Sequence, residues 1–440
     1  MSRPVVAPLA ADSSTLGPES NIRLMILASD APPDELGGTY SKIQSASLSE
    51  TGEVAFIATL ANSAANIALL VRSSNSTRVL LRSGDESPVG GTYTNFGELD
   101  FSVYIARPSL EGSGTFAIFR AELEGGPVSE GVFLWTSEGV KTVAAAGGTS
   151  PRGNTYGTFS QPTVLAVFSN LGIIPLTAFV AQMTDGSKSL IIDKTFQEPL
   201  EILSTNDKVG VNGNEKVRDF VISRMGGVAL SVVADLRKKN KSFKESLMIS
   251  ADSIFQGGLK EKAKIEGLGK IERVLAPPSI RFQVGYTTVQ FRNGVSAIAA
   301  RDSFHPPVIL AQSGGPAPGL PEETIQSFGP PEINDNFPFF SDIGLTVSTV
   351  RLSGGRSALW SHLRIDGSAG VSTRTEIRLL MIEGDQIGAE VSLGSFSAVK
   401  VNNSGAVLVR GTVRSGTQTW EGLFVIDGLL DRQASNQGTC

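Results

Sequence analysis

Histidine is the first place to look for chemistry, and this 440-residue chain has two, His305 and His362. A Ser-His-Asp triad would have to use one of them, and a metal centre built on clustered imidazoles is excluded. His305 sits in "DSFHPPV", which reads as a turn, and His362 in "LWSHLRI", which reads as a strand; both are expected to be structural. The single cysteine, Cys440, leaves no internal disulfide and no cysteine-based metal site. Carboxylates remain. Asp30, Asp85, Asp207 and Asp385 recur in one context, an apolar run that ends in a small turn. A ring of such carboxylates would suit cations, but a calcium site needs several converging oxygens, and each of these stands alone in its own segment. They read as turn caps that accept backbone N–H groups. Asp335 and Asp342 flank "NFPFF", with Phe328 upstream. That segment fits an acid-edged aromatic platform for a sugar ring, or a strand that packs Phe337, Phe339 and Phe340 between sheets; the second is the ordinary expectation. "GGPAPG" and "GGTY" are turn chemistry, and no phosphate-binding glycine pattern follows a strand and opens a helix. The sequence therefore nominates no catalytic, cofactor-binding or metal-binding residue, and no cofactor.

The elements that would position any site come from composition and repetition. Apolar residues make up 40 %, charged residues 18 %, and there are 48 glycines and 22 prolines. Many short apolar runs between turn residues predict many short strands. The net charge is −5 and the pI near 5.4, without the basic stripe that a nucleic-acid partner requires. The basic run Arg237-Lys238-Lys239-Asn240-Lys241, with Lys244 beyond it, reads as a solvated hairpin tip. No apolar run approaches the roughly 18 residues of a membrane helix, so no integral membrane segment is expected. The first twenty residues lack the continuous apolar stretch of a signal peptide.

The chain repeats itself. A turn glycine leading into an apolar strand recurs at Gly52, Gly114, Gly172, Gly227, Gly294, Gly355 and Gly405, about 59 residues apart on average. A second apolar strand ending in a small turn follows each of the first six, at Asp85, Gly148, Asp207, Leu268, Gly315 and Asp385. The seventh module lacks it. The missing strand stands at the other end of the chain: "IRLMILASD" at residues 22–30 matches "IRLLMIEGD" at 377–385 in four of nine positions.

Each module holds about four strand-like runs, in the first Tyr40–Leu48, Glu53–Leu60, Ile67–Arg72 and Arg78–Arg82. Four antiparallel strands per repeat is the unit of a β-propeller blade. The second runs, such as "VAFIATL" and "FAIFRA", are almost continuously apolar, as strands buried on both faces are. The expected fold is an all-β, seven-bladed propeller over residues 22–428. Residues 22–28 supply the outermost strand of the last blade and close the ring. A flexible segment, 1–21, precedes it and a polar tail, 429–440, follows.

These repeats resemble bacterial choice-of-anchor proteins, which carry a tandem N-x-x-G-x-x-A-F repeat and a following strand ending in Gly-Asp and Pro. "SETGEVAF" (Ser49–Phe56) matches all but the first position, "NNSGAVLV" matches the Asn and Gly, and "RSGDESPVGGTY" matches the second half. The resemblance implies an extracellular or cell-surface protein and no general enzymatic activity. The expected function is a non-enzymatic binding or scaffold propeller, acting as a monomer on a protein or glycan ligand, without nucleic acid. The alternative is a carboxylate-dependent enzyme, similar to a glycoside hydrolase or lyase, with Asp and Glu at the propeller mouth.

Overall fold

The structure, a computed structural model, describes residues 21–74, 76–105, 113–169, 172–194, 197–209, 213–224, 229–239, 241–250, 253–265, 267–275, 279–281, 284–301, 307–334, 343–365, 374–388, 391–402, 404–427 and 429. Alternating runs of β-formers and turn residues fold into seven antiparallel sheets, the blades of a β-propeller. The first blade comprises strands Thr39–Leu48, Val54–Ala61, Ile67–Arg72 and Thr77–Arg82, the four segments read from the sequence to within two residues. The second comprises Thr92–Ile105, Ser113–Glu124, Glu130–Thr136 and Gly139–Ala145. The third comprises Tyr156–Ser169, Gly172–Met183, Lys188–Asp193 and Leu200–Ser204. The fourth runs Lys208–Val209, Glu215–Ile222, Ala229–Lys238, Lys241–Ser250 and Ser253–Lys260. Blades five to seven have the same order, each opened by a two- or three-residue strand, at Lys264–Ile265, Pro316–Ala317 and Gln386–Gly388.

The chain divides into two compact units, one of residues 28–243 and 247–256, the other of 1–27, 244–246 and 257–440. Within the first unit, the second strand of each blade is buried on both faces. In the second blade, Ala117, Phe119 and Ala121 pack with Ala55, Ile57 and Leu69 of the first blade. Their alternates Phe116 and Ile118 pack with Tyr156, Phe159 and Phe179 of the third. The period of two sends successive side chains to opposite faces, so an unbroken apolar run is what this position demands.

In the second unit, Asn21–Leu27 pairs antiparallel with Gln418–Asp427, from Ile22 opposite Ile426 to Leu27 opposite Gly422, as the edge strand of the seventh blade. Ile22 and Leu27 join one core with Val409, Phe424 and Ile426. Arg23 Nε donates to Asp427 Oδ2 at 2.6 Å along this seam.

Every blade begins with the same junction. A residue with positive φ stands at Ser29, Gly84, Gly147, Asn206, Lys262, Gly314 and Gly384. Its N–H donates to a carbonyl on the next long strand, and the N–H of that same residue donates back one position further on. In the second blade these bonds are Gly84 N to Tyr93 O, 2.8 Å, and Tyr93 N to Asp85 O, 3.0 Å. This pattern corrects one landmark. Lys262 N bonds Ile271 O and Ile271 N bonds Ala263 O, so the Asp position of the fourth module is Ala263, not Leu268. A second difference concerns the turn glycines. Gly52, Gly294, Gly355 and Gly405 occupy positive-φ turns, whereas Gly114 and Gly172 lie in extended strands, and Gly227 lies outside the described residues.

Candidate functional site

The first long strand of each of blades one to three is bent by a register shift, between Ile43 and Ser45, Phe96 and Leu99, and Ser160 and Thr163. A bulge leaves backbone groups without ladder partners and re-aims side chains. Here polar side chains from neighbouring blades take up those groups.

Asp100 is the centre of this arrangement and is 2 % exposed. Its Oδ1 accepts from Ser47 Oγ of the first blade at 2.8 Å and from Phe101 N at 2.9 Å. Its Oδ2 accepts from Thr163 Oγ1 of the third blade at 2.7 Å and from Val164 N at 3.1 Å. One carboxylate therefore joins three blades, and both of its oxygens are engaged twice. A buried carboxylate survives only with such satisfaction.

A second layer runs through the bulges. Glu130 accepts from Arg120 Nε at 2.9 Å and from Phe159 N of the third blade at 2.7 Å. Glu98 accepts from Gln161 N, and Gln161 Oε1 accepts from Ile222 N of the fourth blade at 3.2 Å. Gln161 holds φ at +52°, a left-handed conformation uncommon for a non-glycine residue and maintained here by bonds to both neighbours.

A third cluster ties the junction before the third blade to that blade's edge strand. Glu201 accepts from Ser150 Oγ at 2.9 Å and from Ser189 Oγ at 2.8 Å. Arg152 Nη1 reaches both oxygens of Asp207, at 2.8 and 2.9 Å. Asp207 holds the Arg152 guanidinium above its ordinary pKa through this hydrogen bond.

Three of the four recurring aspartates cap their own turns with their side chains, as their context implied. Asp85 Oδ2 accepts from Arg82 N at 2.9 Å, Asp207 Oδ2 from Ser204 N at 2.8 Å, and Asp385 Oδ2 from Ile382 N at 3.0 Å. Asp30 contributes its backbone carbonyl, which accepts from Tyr40 N at 2.9 Å. Asp207 does more than the sequence suggested, since it also takes Arg152. His362 lies in strand Ser357–Ile365, opposite Thr346 and Ile377. Phe328 packs with Val350, Leu352 and Trp360. His305, Asp335, Phe337, Phe339, Phe340 and Asp342 lie outside the described residues. Among the described residues no three His, Cys, Asp or Glu side chains gather as metal ligands. Asp100 and Glu130 were not singled out from sequence. The signal that could have found Asp100 is an acid inside an apolar strand, "GELDFSVYI".

Taken together, the blades define a seven-bladed β-propeller, and polar groups pin the leading strands of its first four blades to one another. A family model described as a family of unknown function (DUF7453) matches residues 15–220. No curated protein matches. Among solved structures, the chain is similar to a lectin, BP39L, from Burkholderia pseudomallei, at 13 % identity over 87 % of this chain and 99 % of that one, TM-score 0.37. It is similar to the fucose-specific lectin of Aleuria aurantia at 11 % identity over 77 % and 95 %, TM-score 0.34. It is similar to a Trypanosoma rangeli sialidase at 10 % identity over 95 % and 61 %, TM-score 0.37. Likeness at this level carries no inference about ligand or activity.

Proposed function

We propose that the protein is a non-enzymatic binding or scaffold propeller. One observation carries this reading. The most buried carboxylate of the leading strands, Asp100, has both oxygens spent on four internal hydrogen bonds. A general acid, base or nucleophile needs a face turned to substrate, with a pKa tuned to exchange a proton. Asp100 instead fixes the spacing of three blades. A rigid frame of this kind holds surface loops and blade ends in place for recognition. The ligand classes proposed are protein and glycan, and the site of action proposed is outside the cell or at its surface, from the resemblance to choice-of-anchor repeats.

The test is a glycan-array screen and a cross-linking pull-down with the purified full chain, beside a reducing-end assay on every glycan that binds. Saturable binding with unchanged glycan is expected. Turnover that vanishes on replacing a propeller Asp or Glu would overturn the reading.

A further inference from the structure

The fourth blade carries a ladder of like charges, which the fifth blade repeats with Lys264 opposite Lys270 and which the second blade lacks. At one end of the sheet Lys208 stands directly opposite Lys216, and Lys216 directly opposite Arg237, on three adjacent strands. Residues paired in this way project from the same face, about 4.8 Å apart from strand to strand. All three are exposed. Arg218, the extra residue of the neighbouring bulge, is exposed beside them and reaches Ser242 Oγ at 3.4 Å. Lys239 and Lys241, also exposed, frame the tip of the next hairpin. Lys238 is drawn to the buried Glu215, 3.7 Å away, which leaves the ladder itself cationic.

Like charges placed directly across a sheet destabilise it. The fold does not require them. At the same register of the second blade the residues are Glu86, Thr92 and Glu124. The same junction thus accepts an acidic ladder in one blade and a basic one in another. The basic ladder also opposes the net charge of −5 on the whole chain.

We propose that the cationic end of the fourth blade docks a linear anionic polysaccharide, a polyuronate or sulfated glycan. The inference rests on the binding reading above and names the ligand's chemistry. Two features favour this partner. The cations lie in a straight row at the strand spacing, close to the length of one pyranose residue, so successive acid groups on an extended chain meet successive side chains. The patch displays no exposed aromatic ring among the described residues, and single-stranded nucleic acid is held by such platforms. Phe220 and Phe243, on the strands of the ladder and its neighbour, are buried.

The experiment measures binding of the full chain to polygalacturonate and dextran sulfate. Neutral dextran, poly(dT) and phosphatidylserine vesicles serve as comparison probes. The key variant grafts the second blade's ladder: Lys208→Glu, Lys216→Thr and Arg237→Glu together. Its unchanged thermal transition shows that the blade still folds, and Lys239→Ser with Lys241→Ser is the milder companion. The expected result is salt-sensitive binding to at least one anionic glycan, none to dextran, and a loss of roughly tenfold or more in the graft. Four outcomes overturn the proposal: no anionic glycan binds; the graft binds as well as the parent; poly(dT) binds as tightly as the glycans; or only the vesicles bind. If a neutral glycan or a protein binds parent and graft alike, the anionic docking fails while the binding reading stands. If the polyanion is cleaved, the non-enzymatic reading itself fails.

Discussion

The seventh blade and the leading strands of the first three are held by different means. In the seventh, a strand from the far end of the chain is stitched in by main-chain hydrogen bonds, Asn21–Leu27 against Gln418–Asp427. In the other region, side chains do the joining, with Asp100 between Ser47 and Thr163. The backbone stitch is indifferent to most side-chain identities, provided that the strand is apolar on its buried face. The side-chain stitch depends on one carboxylate at one position. The first should be hard to disrupt by point substitution and lost only with the segment, whereas the second should fail on a single change.

The largest effect is therefore expected from removing residues 1–27. Ile22, Met25, Ile26 and Leu27 are each no more than 7 % exposed. Burial contributes about 1.5–3 kcal/mol for each such side chain, so the loss approaches the whole stability of an ordinary domain. The shortened chain should show no cooperative thermal transition in its second unit. A synthetic peptide of residues 21–30, added in excess, should restore one. If the shortened chain melts like the parent, the strand is decoration and the contrast between the two regions disappears.

Asp100→Ala comes next. It removes the acceptor shared by the Ser47 and Thr163 hydroxyls and the Val164 N–H, while Phe101 N–H keeps Ser47 Oγ, and about 3 kcal/mol of stability should be lost in urea denaturation. Asp100→Asn keeps one acceptor oxygen and should lose less. Asp85→Ala is the control, since Asp85 caps an exposed turn and its loss should cost about 1 kcal/mol. Equal effects at 85 and 100 would show that the three-blade bridge adds nothing beyond a cap.

This contrast also explains what the sequence disclosed and what it hid. The seventh-blade closure was legible because a strand repeats its own kind: "IRLMILASD" has the pattern of every edge strand, so its displacement to residue 22 is visible. The turn caps were legible for the same reason. The bridges are not repeated. Ser47, Asp100 and Thr163 occupy corresponding places in three blades but are three residue types with one joint purpose, and complementarity between unlike residues leaves no periodic trace. Gly114 and Gly172 misled in the opposite direction, since glycine marks a turn only where the backbone needs positive φ, and both are extended here. Leu268 was misplaced because spacing was counted along the chain, whereas the junction is set by the bonds of Lys262 and Ala263 with Ile271.

Between these extremes lie the junctions, where backbone geometry alone is at stake. Gly91 holds φ at +77°, and a Cβ there would lie 2.5 Å from the Glu124 carbonyl oxygen. Gly84 holds φ at +94° with nothing within 4 Å of that position. Gly91→Ala should lose about 2–3 kcal/mol, from strain together with the clash, and Gly84→Ala about 1 kcal/mol, from strain alone. Chemical denaturation of the two variants separates these contributions. Equal losses would mean that the Glu124 carbonyl yields freely.

The smallest effect has the opposite sign. Tyr93 follows the same junction and is 1 % exposed, packed against Phe96, Phe119 and Phe133 with ring centroids 5.3 to 6.1 Å away. Among the described residues its hydroxyl has no hydrogen-bond partner. Burial raises its pKa well above the ordinary 10, and the charge of Asp85 adds to the rise. Because the folded state holds the proton more tightly than the unfolded chain, stability is fully present below pH 10 and declines as the pH rises beyond it. Tyr93→Phe keeps the ring and removes both the stranded hydroxyl and the titration. The variant should be more stable than the parent by about 1 kcal/mol at neutral pH. Its denaturation midpoint should also fall less steeply between pH 10 and 11. A destabilised variant would mean that the hydroxyl is satisfied after all, and the first two blades would then share a polar bond at the junction like those that pin the leading strands around Asp100.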